Sequence, residues 1–411
     1  MSEAADTGRV NAVSPGAPAG AATIRERGTG GLVRWRDTIP FLRPEPPGLE
    51  AVARYFELSR QAGMFANGGP CHRLLVERLE RYLGGGAACV PVASGTSGLL
   101  LAMRAAFGPP RDAEVIVPSF TFTASACAIG WCGFRPRFVD VEAESWQMDP
   151  EALTDALRAA DGEVAGVLGC ATFGVAPPRR VRAAWRAATT SAGVPLVIDS
   201  AAGFGTTDSR GRPLGCGDDT EVFSFHATKP FGIGEGGLVT TGDPSIAERI
   251  ARLGNFGIEG PDRTSGEAGL NGKMSEMSAA AGLAMLDRFD EDLARRRATA
   301  ARLRDALGAA GACFQAGCET STAQLMQVRV DTPVARDACR SVAPRLGVDV
   351  RTYHDPPLHR HPAFAGAARG PLPVTDDLAA RSLSLPMANR MPPEEIARIS
   401  AVVATGVAAA C

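Results

Sequence analysis

The chain has 411 residues, of which 45% are hydrophobic and 21% charged, and its formal net charge is -2. This composition is that of an ordinary globular protein long enough for two subdomains. The near-zero charge excludes a bulk electrostatic attraction to nucleic acid or to anionic membranes. Its 10 cysteines show no paired CxxC spacing, which excludes a zinc ribbon and indicates a reduced, cytoplasmic protein. We expect no transmembrane helix and no secretory signal.

The N-terminal part of the chain precedes any regular pattern. Residues 1–37 are rich in Gly, Ala, Thr and Arg without periodicity, which predicts a flexible tail. Prolines in the stretch 38–48 exclude a helix, so we expect an extended entry segment there. A helix is predicted over 49–62, a turn-rich loop over 64–70, and an amphipathic helix with leucines at helical spacing over 71–83.

From residue 88 onward, short apolar runs alternate with helical patterns. Such alternation predicts an α/β fold with a mainly parallel sheet, helices on both faces, and ligands at the carboxyl ends of the strands. The predicted strands are 88–92, 114–117, 137–141, 164–171, 196–198, 221–225 and 238–241. The predicted helices are 99–107, one that ends at 129, 150–159, 181–191 and 244–253.

The remainder of the chain predicts a second, smaller unit. A loop rich in Gly and charge is expected over 254–269, then the segment NGKMSEMSAAAGLAML, and after this segment a long helix that ends at 309. Beyond it, strands over 324–330 and 348–351 alternate with helices over 333–346 and 393–409. We therefore expect a large domain over 38–290 and a small C-terminal α/β domain over 291–411.

One stretch places a lysine between two predicted strands: FSFHATKPFGIGEGGLVTT, over 223–241. Lys229 follows the first strand and precedes four glycines at the turn. Burial at such a place would lower the pKa of the lysine and free its amine to attack a carbonyl. For an isolated lysine, a solvated side chain beside a hairpin is the better interpretation. The residues at the ends of the other predicted strands decide which of these two interpretations of Lys229 holds.

Three further strand ends carry polar or aromatic residues. The turn SGTS over 94–97 offers backbone N–H groups and hydroxyls to an anion such as phosphate, although a plain helix cap fits equally well. Phe122 in PSFTFTAS could stack on a flat ring or pack in the core. Asp199 could keep a pyridine nitrogen protonated or cap the next turn. Together with Ser224 and Lys229, these supply the four parts that pyridoxal phosphate (PLP) requires.

Seven segments extend this pattern over roughly residues 38–405: SGTSGL, PSFTFTAS, FVDVEAESWQMDPEAL, VIDSAAGFG, FSFHATKPFGIGEGG, NGKMSEMSAAAG and YHDPPLHRHPAF. In this order they resemble the DegT/DnrJ/EryC1/StrS family of PLP-dependent aminotransferases, which act on keto sugars that are mostly nucleotide-linked. The resemblance implies a type I aminotransferase fold, whose large domain carries a sheet of the seven-stranded type. It also implies a homodimer with shared active sites and an amino-acid donor, first of all L-glutamate.

The resemblance also implies roles for single residues. Lys229 would hold pyridoxal 5'-phosphate covalently and relay protons, while Asp199 would pair with the pyridine nitrogen. Pyridoxamine phosphate would carry the amino group between two half-reactions, and Phe122 would cover the ring. The expected phosphate contacts are Gly95, Thr96, Ser224 and, reaching across to the partner chain, Asn271.

One position departs from the family pattern. Many members carry His or Gln three residues after the aspartate, where this chain has Ala202, so a second polar contact near the cofactor is missing or supplied differently. A sister branch that dehydrates sugars has histidine in place of the lysine, and Lys229 argues against that branch. The expected substrate contacts are Asn67, Lys273, Tyr353, His359 and Arg360, with Arg351 as a further candidate for a nucleotide phosphate.

Two neighbouring motifs are given other interpretations. GIGEGG leads into a strand and not into a helix, which excludes a Rossmann dinucleotide loop. His354, His359 and His361 lie in a proline-rich loop without helical spacing, so we predict no metal site. The predicted activity is amination of a keto sugar, without nucleic-acid or membrane partners. An aminotransferase for a keto-cyclitol, and a non-catalytic regulatory or scaffolding protein of the same fold, remain alternatives.

Overall fold

The structure is a computed structural model that describes residues 38–410. The tail predicted over 1–37 lies outside the described residues. The helices are α1 (Leu49–Ala62), α2 (Pro70–Tyr82), α3 (Gly95–Phe107), α4 (Thr123–Trp131), α5 (Pro150–Arg158), α6 (Arg179–Ala192), α7 (Pro244–Leu253), α8 (Glu276–Leu286), α9 (Phe289–Ala309), α10 (Pro333–Val342), α11 (Pro373–Arg381) and α12 (Pro393–Ala408). The strands are β1 (Ala88–Val92), β2 (Ala113–Pro118), β3 (Arg135–Val139), β4 (Glu163–Cys170), β5 (Leu196–Asp199), β6 (Thr220–Ser224), β7 (Gly237–Thr241), β8 (Ile258–Glu259), β9 (Thr264–Ser265), β10 (Met326–Arg329), β11 (Ala368–Arg369) and β12 (Ser382–Leu385).

Eight strands form the large sheet, in the order β1-β7-β6-β5-β4-β2-β3-β11. All neighbours are parallel except at β7, which runs antiparallel to both β1 and β6. The predicted mainly parallel α/β sheet is therefore confirmed. The sequence did not indicate β11, because two residues in a glycine-rich stretch carry no recognisable strand pattern.

Apolar residues cover both faces of this sheet, as a parallel sheet between helices requires. Every residue of β2 is buried. Val115 and Val117 pack in the cluster that includes α3, α4 and α7. Ile116 points to the opposite face, where it packs with Leu153 of α5 and Trp185 of α6. The alternation of side chains along one strand thus fixes which helices lie on which face.

The directions of the strands bring several loops to one edge of the sheet. The carboxyl ends of β2, β4, β5 and β6 meet there, because these strands are parallel. The antiparallel β7 begins at that edge, so the loop that joins it to β6 stands there too. In α/β sheets this edge is where ligands bind.

The C-terminal part forms a second core. The antiparallel pair β10–β12 packs with α9, α10 and α12, and the entry segment joins this core through Ile39. Leu372 and Leu378 instead pack on clusters of the large sheet. The division into domains at 290 and 291 stays a prediction. Among residues 38–410, no helix combines the length and the apolar character needed to cross a membrane.

Some elements differ from the prediction. The predicted long helix that ends at 309 is α9, whereas α8, which lies in the segment before it, was not predicted. The expected strand over 348–351 consists of isolated bridges at Val348 and Arg351. Helix α11 and strand β12 were not predicted, since each is short; α11 follows a proline-rich loop, and β12 begins directly after α11.

Two buried carboxylates stabilise the framework beneath the ligand edge. Glu221 of β6 is fully buried and pairs with Arg182, while Ser200 Oγ donates to its other oxygen at 2.7 Å. Glu276, at the start of α8, is also fully buried. It accepts hydrogen bonds from the backbone N–H groups of Cys71 and His72 and from a serine hydroxyl, and so caps the N-terminus of α2.

Candidate active site

The loop between β6 and β7 holds Lys229 in a tight backbone. Phe225 N–H donates to the Gly236 carbonyl at 2.9 Å, which continues the β6–β7 pairing into the loop. A β-carbon on Gly232 would lie 2.7 Å from the Ala227 carbonyl oxygen and 2.9 Å from that of Lys229. Glycine is therefore required at this turn, which gives the glycine-rich stretch a structural reason.

The side chain of Lys229 lies in an environment that favours the neutral amine. Burial lowers the pKa of Lys229 to about 8, and the negative charge of Asp199 partly opposes this. The amine donates a hydrogen bond to Gln324 Oε1 at 3.2 Å. A lysine with such a pKa can act as a nucleophile and as a proton carrier near neutral pH.

Asp199 ends β5 as a buried carboxyl at the ligand edge. Its Oδ2 accepts from Ser125 Oγ at 2.7 Å, and its Oδ1 accepts from the Ala201 N–H at 3.0 Å. Burial raises the pKa of Asp199, whereas these two donors and the charge of Lys229 lower it. The two donors fix the orientation of the carboxyl group, which can still accept from a ring N–H in the cleft.

The start of α3 and the end of β6 approach closely and form a small cup. Ser94 caps α3 through its side chain, in a reciprocal pair with Ser97. A β-carbon on Gly95 would lie 2.8 Å from the β-carbon of Ser224, so only glycine fits. The first N–H groups of a helix have no partner within the helix and attract anions. Thr96, which follows Gly95, is exposed.

Phe122 lies at the N-terminus of α4, and 57% of its surface is exposed. Its neighbour Phe120 is fully buried and contacts Trp146, Phe173 and His354 edge-on. Core packing therefore explains Phe120 and does not explain Phe122. A phenylalanine exposed toward a cleft can cover a planar ring.

These residues line one cleft of about 790 Å³. This volume lies in the range of ordinary ligand sites. Of the residues predicted from the sequence, the cleft brings together Gly95, Thr96, Phe122, Asp199, Ser224, Lys229 and Tyr353. The parts of this cleft fit the parts of PLP. The cup, which has no space for a β-carbon, fits the phosphate. The oriented Asp199 carboxyl fits the ring nitrogen, and the neutral Lys229 amine fits the aldehyde.

The cleft of the single chain is not lined by Asn271, Lys273 or Asn67. Asn271 is exposed and pairs through its backbone with Asn255. Lys273 donates to Asn255 Oδ1 at 2.8 Å and lies over the ring of Phe256. Asn67 is exposed in the loop before α2. Their predicted contacts stay predictions.

His359 and Arg360 face away from the cleft. His359 is buried, with Nδ1 2.8 Å from Ser119 Oγ and Nε2 3.1 Å from Asp376 Oδ1. Arg360 lies 2.7 Å from the same carboxylate oxygen of Asp376. Burial lowers the pKa of His359, and Asp376 partly opposes this. Within one chain, this geometry gives both residues a structural partner and does not support a substrate contact.

The histidines of the proline-rich loop point in different directions. His354 stacks on Phe173 with ring centroids 4.8 Å apart, and His361 Nε2 lies 3.0 Å from the Pro356 carbonyl. Among residues 38–410, no cluster of three or more potential ligands has the geometry for a metal ion. His354 lines the cleft, where burial and the charge of Lys229 hold its pKa well below the usual range.

Sequence reasoning missed two polar contacts of the site. Ser125 orients Asp199, although its own segment had been singled out only for Phe122. Gln324 contacts Lys229 from a segment that carried only a strand pattern. His354 had been considered only as a metal ligand. A polar residue beside a predicted catalytic aromatic was the one signal that could have found Ser125.

Comparisons with known proteins agree with this geometry. The model of the DegT/DnrJ/EryC1/StrS aminotransferase family matches residues 50–404. Protein Rv3402c of Mycobacterium tuberculosis is 37% identical over 370 residues, which are 89% of this chain and 89% of that protein. The dTDP-3-amino-3,4,6-trideoxy-alpha-D-glucose transaminase of Streptomyces venezuelae is 34% identical over 309 residues, covering 72% of this chain and 77% of that enzyme.

A solved structure gives the same result for the fold. DesI, crystallised in the presence of its TDP-sugar product, is 32% identical and superposes with a TM-score of 0.81 over 91% of this chain and 95% of DesI. The predicted type I aminotransferase fold is thereby confirmed. Family and fold imply PLP as the cofactor. The chain belongs to the DegT/DnrJ/EryC1/StrS aminotransferase family and is an aminotransferase.

Proposed function

We propose that this aminotransferase binds PLP covalently through Lys229 and transfers an amino group from L-glutamate to a keto sugar in amino-sugar biosynthesis. The sugar is a nucleotide-linked keto-deoxysugar; the TDP-sugar product with which DesI was crystallised is likewise nucleotide-linked. The observation that carries the proposal is the meeting of Lys229, Asp199, Phe122 and the Gly95–Ser224 cup in one cleft. A non-catalytic scaffold would have no reason to keep a lysine with a lowered pKa beside a buried aspartate.

When bound, PLP supplies an electron sink for the carbon that carries the transferred nitrogen, and pyridoxamine phosphate stores the amino group between half-reactions. Asp199 would accept from the protonated ring nitrogen and so keep the proton there. Lys229, neutral at a pH above about 8, would take a proton at Nζ and return it. Phe122 would cover one face of the ring and exclude water from it.

The sugar would occupy the outer part of the cleft. Phe41 and Tyr353 line this part, with ring centroids 5.9 Å apart. The guanidinium of Arg351 lies 5.2 Å from the centre of the Phe41 ring. Aromatic rings beside a cation suit a nucleotide-linked sugar, whose base can stack and whose phosphates need positive charge.

The proposal includes a homodimer with shared sites, which is supported by the residues that do not reach their own cleft. Asn271, Asn67 and Lys273 are the predicted cross-chain or rim contacts, and Asn271 and Asn67 are exposed in the single chain. We propose that Asn271 of one chain completes the phosphate cup of the other. The cytoplasmic location rests on the cysteines, all unpaired in the part of the chain that the structure describes.

The sequence offers a direct test of the covalent site, because Lys229 and Lys273 are its two lysines. Borohydride reduction of the purified holoenzyme, followed by peptide mass spectrometry, should place the reduced cofactor on Lys229. L-glutamate should change the visible absorbance of the cofactor and yield 2-oxoglutarate. Lys229→Ala should abolish turnover, whereas Lys273→Ala should keep the bound cofactor.

The substrate class needs its own experiment. Enzyme that has been converted by L-glutamate should aminate nucleotide-linked keto-deoxysugars, detected as a mass change of the sugar nucleotide. A panel that also contains keto-cyclitols separates the two candidate classes. Turnover by the Lys229→Ala variant, or a cofactor attached elsewhere, would show that the assignment is wrong.

A further inference from the structure

The side-chain amide of Gln324 bridges two consecutive residues of the catalytic loop. Its Oε1 accepts from Lys229 Nζ at 3.2 Å, and its Nε2 donates to the Thr228 carbonyl at 3.2 Å. The opposite orientation of the amide would set a donor against the lysine amine and an oxygen against a carbonyl oxygen. The contacts therefore fix the amide with its oxygen toward Lys229.

A buried arginine immobilises the backbone that carries this glutamine. The guanidinium of Arg296 donates to the carbonyls of Thr322, Ala323 and Gln324 at 3.0, 2.9 and 2.9 Å. Asn389 Oδ1 accepts from the same group at 3.0 Å. Burial lowers the pKa of Arg296 to about 10. Because one rigid group binds three consecutive carbonyls, the loop has little freedom to move its glutamine.

The loop is also tied to the segment that follows Asp199. Thr322 Oγ1 donates to the Ala202 carbonyl at 2.9 Å, and the Thr322 N–H donates to Thr206 Oγ1 at 3.1 Å. Ala202 itself lines the cleft with no more than a methyl group. The polar group beside the lysine in this region is thus the amide of Gln324, which arrives from the C-terminal part of the chain.

We propose that Gln324 is a positioning residue for Lys229. Its Oε1 accepts from one N–H of the ε-amine and thereby turns the remaining valences of the nitrogen into the cleft. This inference rests on the proposed role of Lys229 as proton carrier. An amine that is released between half-reactions would otherwise rotate freely about its flexible stem. Arg296 acts on Lys229 only indirectly, because it holds the loop that carries Gln324.

Two substitutions at position 324 separate positioning from a merely structural role. Gln324→Leu removes the acceptor, so the ammonium form of Lys229 loses a hydrogen bond and its pKa should fall by about one unit. Gln324→Glu places a carboxylate there, so the pKa should rise. The charged or titratable groups Asp199 and His354, which also act on Lys229, stay unchanged in both variants.

The two lysines of the chain make this measurable in full-length protein. With 13C-labelled lysine and the cofactor removed, an NMR titration should give one signal for Lys229 and one for Lys273, and the latter serves as the internal control. Opposite shifts of the Lys229 titration in the two variants are expected. Shifts of the same sign, or none, would overturn the inference, even if both variants lose activity.

Kinetics of the reloaded holoenzyme supply the second readout. Gln324→Leu should slow the half-reaction with L-glutamate about tenfold through kcat, with little change in KM, because the amine is misplaced while the substrate contacts remain. A change confined to KM would contradict the inference. If borohydride mapping places the cofactor elsewhere, the proposed function fails, whereas the cofactor-free titration still judges Gln324 by itself.

Discussion

Gly95→Ala tests the phosphate cup by adding one methyl group. The new β-carbon would lie 2.8 Å from the β-carbon and 3.2 Å from the α-carbon of Ser224. Carbon atoms pack at about 3.5–4.0 Å, so the start of α3 and the end of β6 must separate by about 0.7–1.2 Å. Since Ser224 contributes backbone atoms to this contact, a change of rotamer cannot relieve it.

Overpacking of this kind typically costs about 1–3 kcal/mol. If the strain falls on the cup, PLP should bind about 5- to 150-fold more weakly. The measurement is a titration of cofactor-free protein with PLP, followed by visible absorbance. The reaction of the bound enzyme with L-glutamate should change less, because Lys229 and Asp199 lie outside the strained contact.

Gly98→Ala is the matched control on the same helix. Its β-carbon would lie 2.8 Å from Val222 Cγ1, a contact of similar closeness that belongs to the apolar core. Both variants should lose stability in urea, and only Gly95→Ala should lose cofactor affinity. Equal losses of affinity in the two variants, or wild-type binding by Gly95→Ala, would refute the assignment of the cup.

Three further substitutions probe buried charges. The pKa of Lys229 is lowered from 10.5 to about 8, so Lys229→Met should stabilise the cofactor-free protein at pH 7 by at most about 3 kcal/mol, and the gain should vanish as pH rises from 8 to 10.5. Urea unfolding at both ends of this range checks the sign. Arg182→Ala leaves Glu221 buried without its partner and should cost about 3–5 kcal/mol in the same assay, whereas Arg212→Ala at the surface should change little. Glu276→Ala removes the acceptor of three donors at the start of α2 and should cost about 3 kcal/mol; a melting temperature equal to that of wild type would contradict its role as a cap.

The sequence predicted the elements whose ends carry strong local signals. Helix α7 has the predicted bounds because Asp243 accepts from the N–H groups of Ser245 and Ile246 and proline occupies the first turn. By contrast, α8 was not predicted as a helix, and its end at Asp287 contains neither Pro nor Gly. It is accompanied by contacts of Asp287 with Tyr55 and Arg78, which are distant in sequence. Such tertiary causes leave no pattern in a local window.

The residues of the site likewise differ in whether a local sequence signal could predict them. Residues at strand ends, such as Asp199 and Lys229, could be predicted because parallel strands must end at one edge. Gln324 could not, since a loop clamped by a distant arginine carries it to the lysine. His359 was expected at the substrate opening because of the family resemblance, and only the structure shows its contact with Asp376.

The long reach of the Lys229–Gln324 contact makes the large sheet and the C-terminal core depend on each other. The two residues are 95 positions apart, and Arg296, which holds the Gln324 loop, is itself bound by Asn389. Loosening the C-terminal core should therefore be felt at the lysine. Conversely, a ligand that binds only the folded protein and is present at 100 times its Kd adds about 2.7 kcal/mol to its stability.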